Sequence, residues 1–375
     1  MVTCATLDAC LQKIGVSFFT GVPDSCFRPW VNYLSNTRPS DHIISTSEGE
    51  AVSIAAGYNL STGKTAGVYL QNSGLGNLVN PISSILDEHV YGIPIFLMIS
   101  MRGRPGAKDE PQHKRMGKIT TKLLGDMNVR YEWFNERRLA VSTPNNAIKI
   151  LRQGRAFALL LRKGDIAPYT EKVCSNAPAS DSSLTRWEAI TLIARSFGKD
   201  AIFFATTGKT GRELYLWRDK TDGDHSLDFL NVGGMGWVSS LAFGFSLGYK
   251  KCIVILDGDG SILMHMGNLA TIGHYRSSNI IHFILDNRSY DSVGGLGTVS
   301  ETVNFGKIAE AAGYRRSTII SDKSQLVSEL SRLREEEGPT LVTIQIGKGS
   351  IQDLPRPSLS PQVRKALLSR RLGFN

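Results

Sequence analysis

Long apolar runs are missing from this sequence: none reaches the roughly 20 residues that a membrane-spanning helix needs, so no membrane partner is expected. Cysteine is scarce. The five residues Cys4, Cys10, Cys26, Cys174 and Cys252 form no CxxC pair and no Cys/His zinc pattern. That excludes a disulfide scaffold and a zinc finger, and reduced thiols in a cytoplasm are the expectation. The opening residues, Met1 to Asp8, lack a charged segment followed by an apolar stretch, so no secretory signal is expected. Low-complexity tracts and short-period repeats are absent too. Acidic residues are the minority, 34 against 43 basic ones, for a net charge of +9. The basic residues are interspersed, with short clusters at 102–118 and 364–371. No zinc-finger, RRM or helix-turn-helix signature accompanies them, so nucleic acid is not an expected partner. Attraction of a small anionic ligand is a sufficient use for positive potential.

What is present is a repeated alternation of strand and helix patterns. At 375 residues the chain suits two domains, each able to bury its own core. Apolar runs predict strands at Val16–Thr20, His42–Thr46, Ala66–Leu70, Pro94–Ser100 and Ala156–Leu161, with helices such as Glu50–Leu60 and Ile82–Val90 between them. Residues 171–183 lose apolar periodicity and read as a linker. A second series follows, with strands at Ala201–Ala205, Asp228–Val232, Cys252–Leu256, Ile280–Leu285 and Thr340–Ile346. Residues 349–375 read as a basic tail with a short helix at Pro361–Ser369. The pattern predicts an α/β protein of two doubly wound parallel-sheet domains, 1–170 and 184–348.

The chemistry concentrates at 252–295. The apolar run Ile253–Leu256 ends in Asp257-Gly258-Asp259-Gly260, and a second run, Ile280–Leu285, ends in Asp286-Asn287. Two buried strands joined by a helix make a right-handed βαβ unit. Both strand ends then lie on one edge of a parallel sheet, where such sheets bind ligands. Asp259 and Asn287 meet there and offer oxygen, the ligand type that Mg²⁺ takes. Gly258 and Gly260 let the backbone approach a diphosphate closely.

A Gly-Asp-Gly, residues 261–286 and then Asn287, continuing as Ser-Tyr-Asp-Ser-Val-Gly-Gly, resembles the motif of thiamine diphosphate (ThDP) enzymes. The resemblance implies ThDP and Mg²⁺ as cofactors. Gly258, Asp259, Gly260, Ser261 and Asn287 would hold the diphosphate and the metal, with the backbone carbonyl of Ser289 as a third metal ligand. Thr206-Thr207-Gly208-Lys209 is similar to a family loop that reaches the phosphates. Gly233 and Met235, in Asn231-Val232-Gly233-Gly234-Met235-Gly236-Trp237, would meet the aminopyrimidine. The segment 43–64 resembles the family's activating-glutamate region, with Glu48 in the catalytic position and Glu50 a solvated first-turn acid. A carboxyl bonded to the pyrimidine ring favours the imino form, which then removes the thiazolium proton. The family likeness further implies a pyrimidine-binding domain, a diphosphate-binding domain, no middle domain, and at least a homodimer with active sites between subunits.

Three more segments follow predicted strands: Gly21-Val22-Pro23-Asp24-Ser25, Gln71 to Asn77, and Arg102 to His113. With the rest, over about residues 10–350, they resemble the phosphonopyruvate decarboxylases. That resemblance implies conversion of 3-phosphonopyruvate to 2-phosphonoacetaldehyde and CO₂, a step of phosphonate biosynthesis. Asp24 and His113 join Glu48 as catalytic candidates. Ser25, Asn72, Ser73, Arg102, Arg104, Lys108 and His113 are the substrate-binding candidates, the cations suiting a doubly anionic 2-oxo acid. Asp24 and Ser25 have the alternative of an Asx-type turn, and Arg104 and Lys108 that of solvated loop charges. Two positions depart from the family pattern: Leu296 stands where Gln is common, and Trp237 where His is common. They leave open sulfopyruvate, another anionic 2-oxo acid, or carboligation. A noncatalytic ThDP-fold subunit is the remote alternative.

Overall fold

The computed structural model describes residues 1–171, 184–291 and 295–373. The chain divides into two compact units, Met1–Ser175 and Asn176–Asn375. Apart from Glu171, the expected linker lies outside the described residues.

The first unit holds a six-stranded sheet of β1 (Val16–Gly21), β2 (His42–Ile44), β3 (Thr65–Gln71), β4 (Ile95–Ser100), β5 (Arg130–Trp133) and β6 (Phe157–Leu161). Its order is β2-β1-β3-β4-β6-β5, and every pairing is parallel. β4 and β6 are buried along their whole length. That is the pattern of strands covered by helices on both faces. β5 is an edge strand with two exposed and two half-buried residues, so no apolar run marks it in the sequence. The predicted helix Ile82–Val90 is a correction: the helix runs only Val79–Ser83. It is followed by turns, and Val90 is exposed.

The second unit holds β7 (Ile202–Ala205), β8 (Asp228–Leu230), β9 (Ile253–Gly258), β10 (Ile280–Asp286), β13 (Arg316–Ile320) and β14 (Thr340–Gln345). The short strands β11 (Ser289–Tyr290) and β12 (Leu296–Gly297) form an antiparallel pair. The main sheet, in order β13-β14-β10-β9-β7-β8, is all parallel. Alternate residues serve opposite faces: Phe203, Val254, Leu256, Phe283 and Val342 join one core, while Phe204, Ile253, Ile255, Ile284 and Leu341 join the other. The missed β13 is again a partly exposed edge. The end of the chain is more than a tail. Helix Pro361–Arg371 places Leu368 in the core beside Phe204 and Leu227, and Arg212 and Tyr215 bond to Pro355 and Ser358.

Candidate functional site

In the second unit the register pairs Leu285 of β10 with Gly258 of β9. Asp259 therefore emerges beside Asp286 and Asn287, as the βαβ reading required. Asp259 opens the helix Asp259–Met264 and is buried. Thr298 Oγ1 donates to it at 2.6 Å. The Ser300 hydroxyl lies 2.8 Å from Asp286 and 3.3 Å from Asp259, with one proton to serve both. Burial and then the neighbouring Asp286 carboxylate push the Asp259 carboxyl up to about 7. Neither acid forms a salt bridge among the described residues. Two buried carboxylates short of positive charge fit a divalent cation, and oxygen donors suit Mg²⁺. No group of three or more His, Cys, Asp or Glu that could hold a metal ion is present among the described residues; the expected set would combine carboxylate, amide and carbonyl oxygens instead. Asn287 Oδ1 accepts from the Ser289 amide at 3.1 Å, and Asn287 Nδ2 donates to Asp291 at 2.7 Å. The buried Ser289 hydroxyl has no partner among the described residues. Gly260 is packed against Tyr290: a Cβ there would sit 2.5 Å from the ring.

Ser261 joins three loops. Its hydroxyl lies 2.9 Å from Thr206 Oγ1, after β7, and accepts from the Gly236 amide at 3.2 Å, after β8. The expected cofactor residues Thr206, Ser261 and the turn Gly233–Gly236 thus share one sheet edge. Thr207, Gly233 and Met235 are half-buried there. Asn268, unmarked by any sequence motif, donates to the Gly236 carbonyl at 2.9 Å and fixes that turn. Trp237 stacks on His265 with ring centroids 3.8 Å apart.

In the first unit Glu48 follows N-cap Ser47 and begins the helix Glu48–Thr62. It is buried, and Asn77 Nδ2 donates to its Oε2 at 2.7 Å. Gly74 leaves the room the carboxyl occupies, since a Cβ there would meet Oε1 at 2.2 Å. Glu50, exposed as expected, accepts from the Thr46 amide at 2.6 Å. Asp24 does build an Asx turn, accepting from the Cys26 and Phe27 amides at 3.0 and 2.8 Å. Its other oxygen accepts from the Ser100 hydroxyl. Burial raises its carboxyl above the usual range.

The substrate candidates differ in what they leave available. Asn72 is fully buried, donating to the Arg102 carbonyl and to Thr120, each at 3.0 Å, and accepting from the Arg102 amide at 3.2 Å. Arg102 is gripped by Asp109 through Nε and Nη2, at 2.9 and 2.6 Å. Ser25 and Lys108 are exposed and Arg104 half-buried. Ser73 accepts from Gln71 at 2.6 Å. His113 is buried at the start of helix His113–Asp126, and its Nδ1 has no partner among the described residues. Burial, then the Arg102 charge, hold its imidazole below the usual histidine range.

Residues 3–121 match the sequence profile of the N-terminal TPP binding domain of thiamine pyrophosphate enzymes. Residues 207–344 match that of the C-terminal TPP binding domain. Thiamine pyrophosphate is another name for ThDP. The chain is 35% identical to a phosphonopyruvate decarboxylase of Streptomyces viridochromogenes, over 96% of this chain and 92% of that protein. It is 34% identical to a phosphonopyruvate decarboxylase of Streptomyces hygroscopicus over the same shares. A sulfopyruvate decarboxylase of Methanosarcina acetivorans is 24% identical over 94% of this chain and 93% of its own length. With both thiamine pyrophosphate domains present and these relatives matched nearly end to end, the chain belongs to the phosphonopyruvate decarboxylase family of thiamine pyrophosphate enzymes.

Proposed function

We propose that the protein decarboxylates 3-phosphonopyruvate to 2-phosphonoacetaldehyde and CO₂ with ThDP and Mg²⁺. The observation that carries this is the 35% identity, over 96% of the chain, to a phosphonopyruvate decarboxylase. Asp259, Asn287 and the Ser289 carbonyl hold Mg²⁺, and Gly258, Gly260, Ser261, Thr206 and Thr207 line the diphosphate. Gly233 and Met235 seat the aminopyrimidine. When bound, ThDP supplies the electron sink for the pair left behind as CO₂ departs. Glu48, steadied by Asn77, shares its proton with the pyrimidine ring. Arg104 and Lys108, whose side chains have no bonding partner among the described residues, neutralise the phosphonate and carboxylate. Lys108 is exposed and Arg104 half-buried, and both are proposed to close on the substrate. His113, whose buried Nδ1 has no partner among the described residues, moves the proton that the aldehyde product gains, and Asp24 with Ser100 shapes the turn after β1. Asn72 and Arg102 act indirectly, holding the loop that carries Arg104, Lys108 and His113. Ser25 and Ser73 lie at the same edge as further donors.

The protein is proposed to work as a homo-oligomer, at least a dimer, with each centre drawing on two subunits. No helix among the described residues is long and apolar enough to cross a membrane. Cys4, Cys10, Cys26 and Cys252 are free, which suits a reducing cytoplasm.

The test is CO₂ release from phosphonopyruvate by purified protein, with and without ThDP and Mg²⁺, trapping the aldehyde. Release that requires both cofactors is the expected result. Turnover of sulfopyruvate in place of phosphonopyruvate would overturn the substrate and keep the chemistry.

A further inference from the structure

An asparagine amide is nearly symmetric in shape. Rotation by half a turn exchanges a metal-ligating oxygen for an NH₂ group that repels a cation. Asn287 can serve a metal only if something fixes which end is which. Ser289 contributes, its amide donating to Oδ1 at 3.1 Å. The stronger constraint is on the other end, where Nδ2 donates to Asp291 Oδ2 at 2.7 Å.

That single carboxylate oxygen is itself held from two further directions. Arg186 Nη2 reaches it at 2.6 Å and the Gly349 amide at 3.2 Å. Arg186 comes from the first turn of helix Arg186–Phe197, whose start is fixed by a Thr185–Glu188 capping box. Its Nη1 donates to the Gly349 carbonyl at 3.0 Å and lies 3.5 Å from the fully buried Glu213. The Arg186 and Asp291 side chains are 6% and 9% exposed. Three separate parts of the second unit thus converge on one oxygen atom, and one of the three is the amide of the candidate metal ligand.

We infer that Asp291, oriented by Arg186 and Gly349, is a positioning residue that keeps the Asn287 oxygen turned toward the divalent cation. The inference rests on Asn287 being a metal ligand, as proposed above. Groups that orient metal ligands typically change metal affinity about 10- to 100-fold when removed.

The role belongs to an oxygen acceptor, while the pairing with Arg186 belongs to a charge, and substitution separates the two. Asp291→Asn keeps an oxygen where Oδ2 sits and removes the charge. Asp291→Ala removes both. The measurement is Mn²⁺ binding to the full-length protein with ThDP, read by electron paramagnetic resonance, alongside thermal unfolding. Wild-type protein should retain Mn²⁺. Asp291→Ala should bind it about 10- to 100-fold more weakly, and Asp291→Asn should bind it close to normally. Both should unfold at lower temperature, since each removes the charged partner of Arg186 at 2.6 Å and leaves it only the 3.5 Å pairing with Glu213. If Asp291→Ala does not fold, Asp291→Leu, of similar size and without an acceptor, takes its place with the same expectation. Wild-type affinity in the folded Ala or Leu variant overturns the positioning role, as does a loss in Asp291→Asn equal to that in Asp291→Ala. Failure of the wild-type protein itself to hold Mn²⁺ with ThDP overturns the reading beneath it, and so is a distinguishable result.

Discussion

Glu48 carries the sharpest expectation at the scale of single residues. Glu48→Gln keeps the shape and the Asn77 contact but cannot share a proton in the same way. Decarboxylation should fall at least about 10²-fold, the scale of lost acid–base function, with ThDP binding by calorimetry near normal. Wild-type turnover would remove Glu48 from the chemistry. Gly74→Ala tests the same carboxyl from outside: the added methyl meets Glu48 Oε1 at 2.2 Å, so activity should drop although every acidic group remains. His42 offers a pH test. Its Nε2 lies 2.8 Å from the Tyr69 hydroxyl, and burial lowers its imidazole to about 4. The unfolded chain takes up a proton near the ordinary histidine value of about 6.5, while the fold refuses it until about 4. Stability is therefore full above about 6.5 and is lost as pH falls toward 4, by about 2 kcal/mol at pH 5. His42→Gln should flatten that acid-side loss in urea titrations at pH 7.5 and 5. Equal slopes in both proteins would assign the loss to other groups. Residue-scale legibility follows chain proximity. Glu48, Asp259 and Asn287 stand in local motifs. Asn77 and Asp286 lie in segments the sequence marks, but their partners Glu48 and Ser300 come near only by folding, and Asn268 stands in no motif at all.

At the scale of elements, legibility follows burial for most strands, the edge strand β2 being legible from its Ile43-Ile44 pair although none of its residues is buried. β4, β9 and β10 lie inside their sheets and read as continuous apolar runs. β5 and β13 lie at edges, mix polar with apolar residues, and were not legible. The helix expected at Ile82–Val90 failed for a related reason: Leu86 is buried while Val90 is exposed, so the apolar spacing there serves a turn-rich segment. Helix Arg186–Phe197 is the element through which Arg186 reaches Asp291, and its capping box is local chemistry. Thr185 accepts from the Glu188 amide at 3.2 Å while Glu188 accepts from the Thr185 amide at 3.1 Å. Thr185→Ala should cost about 1 kcal/mol of stability, measured by urea unfolding. An unchanged midpoint would show that packing alone sets the start of this helix.

At the scale of the molecule, the two sheets share one plan. Read from the β8 edge, the second is β8-β7-β9-β10-β14-β13, which repeats the β2-β1-β3-β4-β6-β5 order of the first. No short-period sequence repeat gives this away, because topology constrains which positions are apolar and leaves residue identity free. The shared plan gives each unit one functional edge, at the carboxyl ends of its strands. Glu48, after β2, holds the place in the first unit that Gly233–Met235, after β8, holds in the second. Arg102, after β4, corresponds to Asn287, after β10. On the proposed reading, one unit offers the activating acid and the substrate loop, and the other offers the metal and diphosphate groups. Glu48→Gln and Asp259→Ala disable different units, so mixing them asks whether a centre draws on two subunits. Each is expected to be inactive alone. Co-expression of both gives a mixed dimer in which one centre combines the intact Glu48 of one chain with the intact Asp259 of the other. Half of randomly paired dimers are mixed and half their centres are sound, so about a quarter of wild-type CO₂ release should return, as a two-fold arrangement requires. If each chain closed its own centre, both centres of every mixed dimer would carry a defect. Activity would then stay at the level of the single variants.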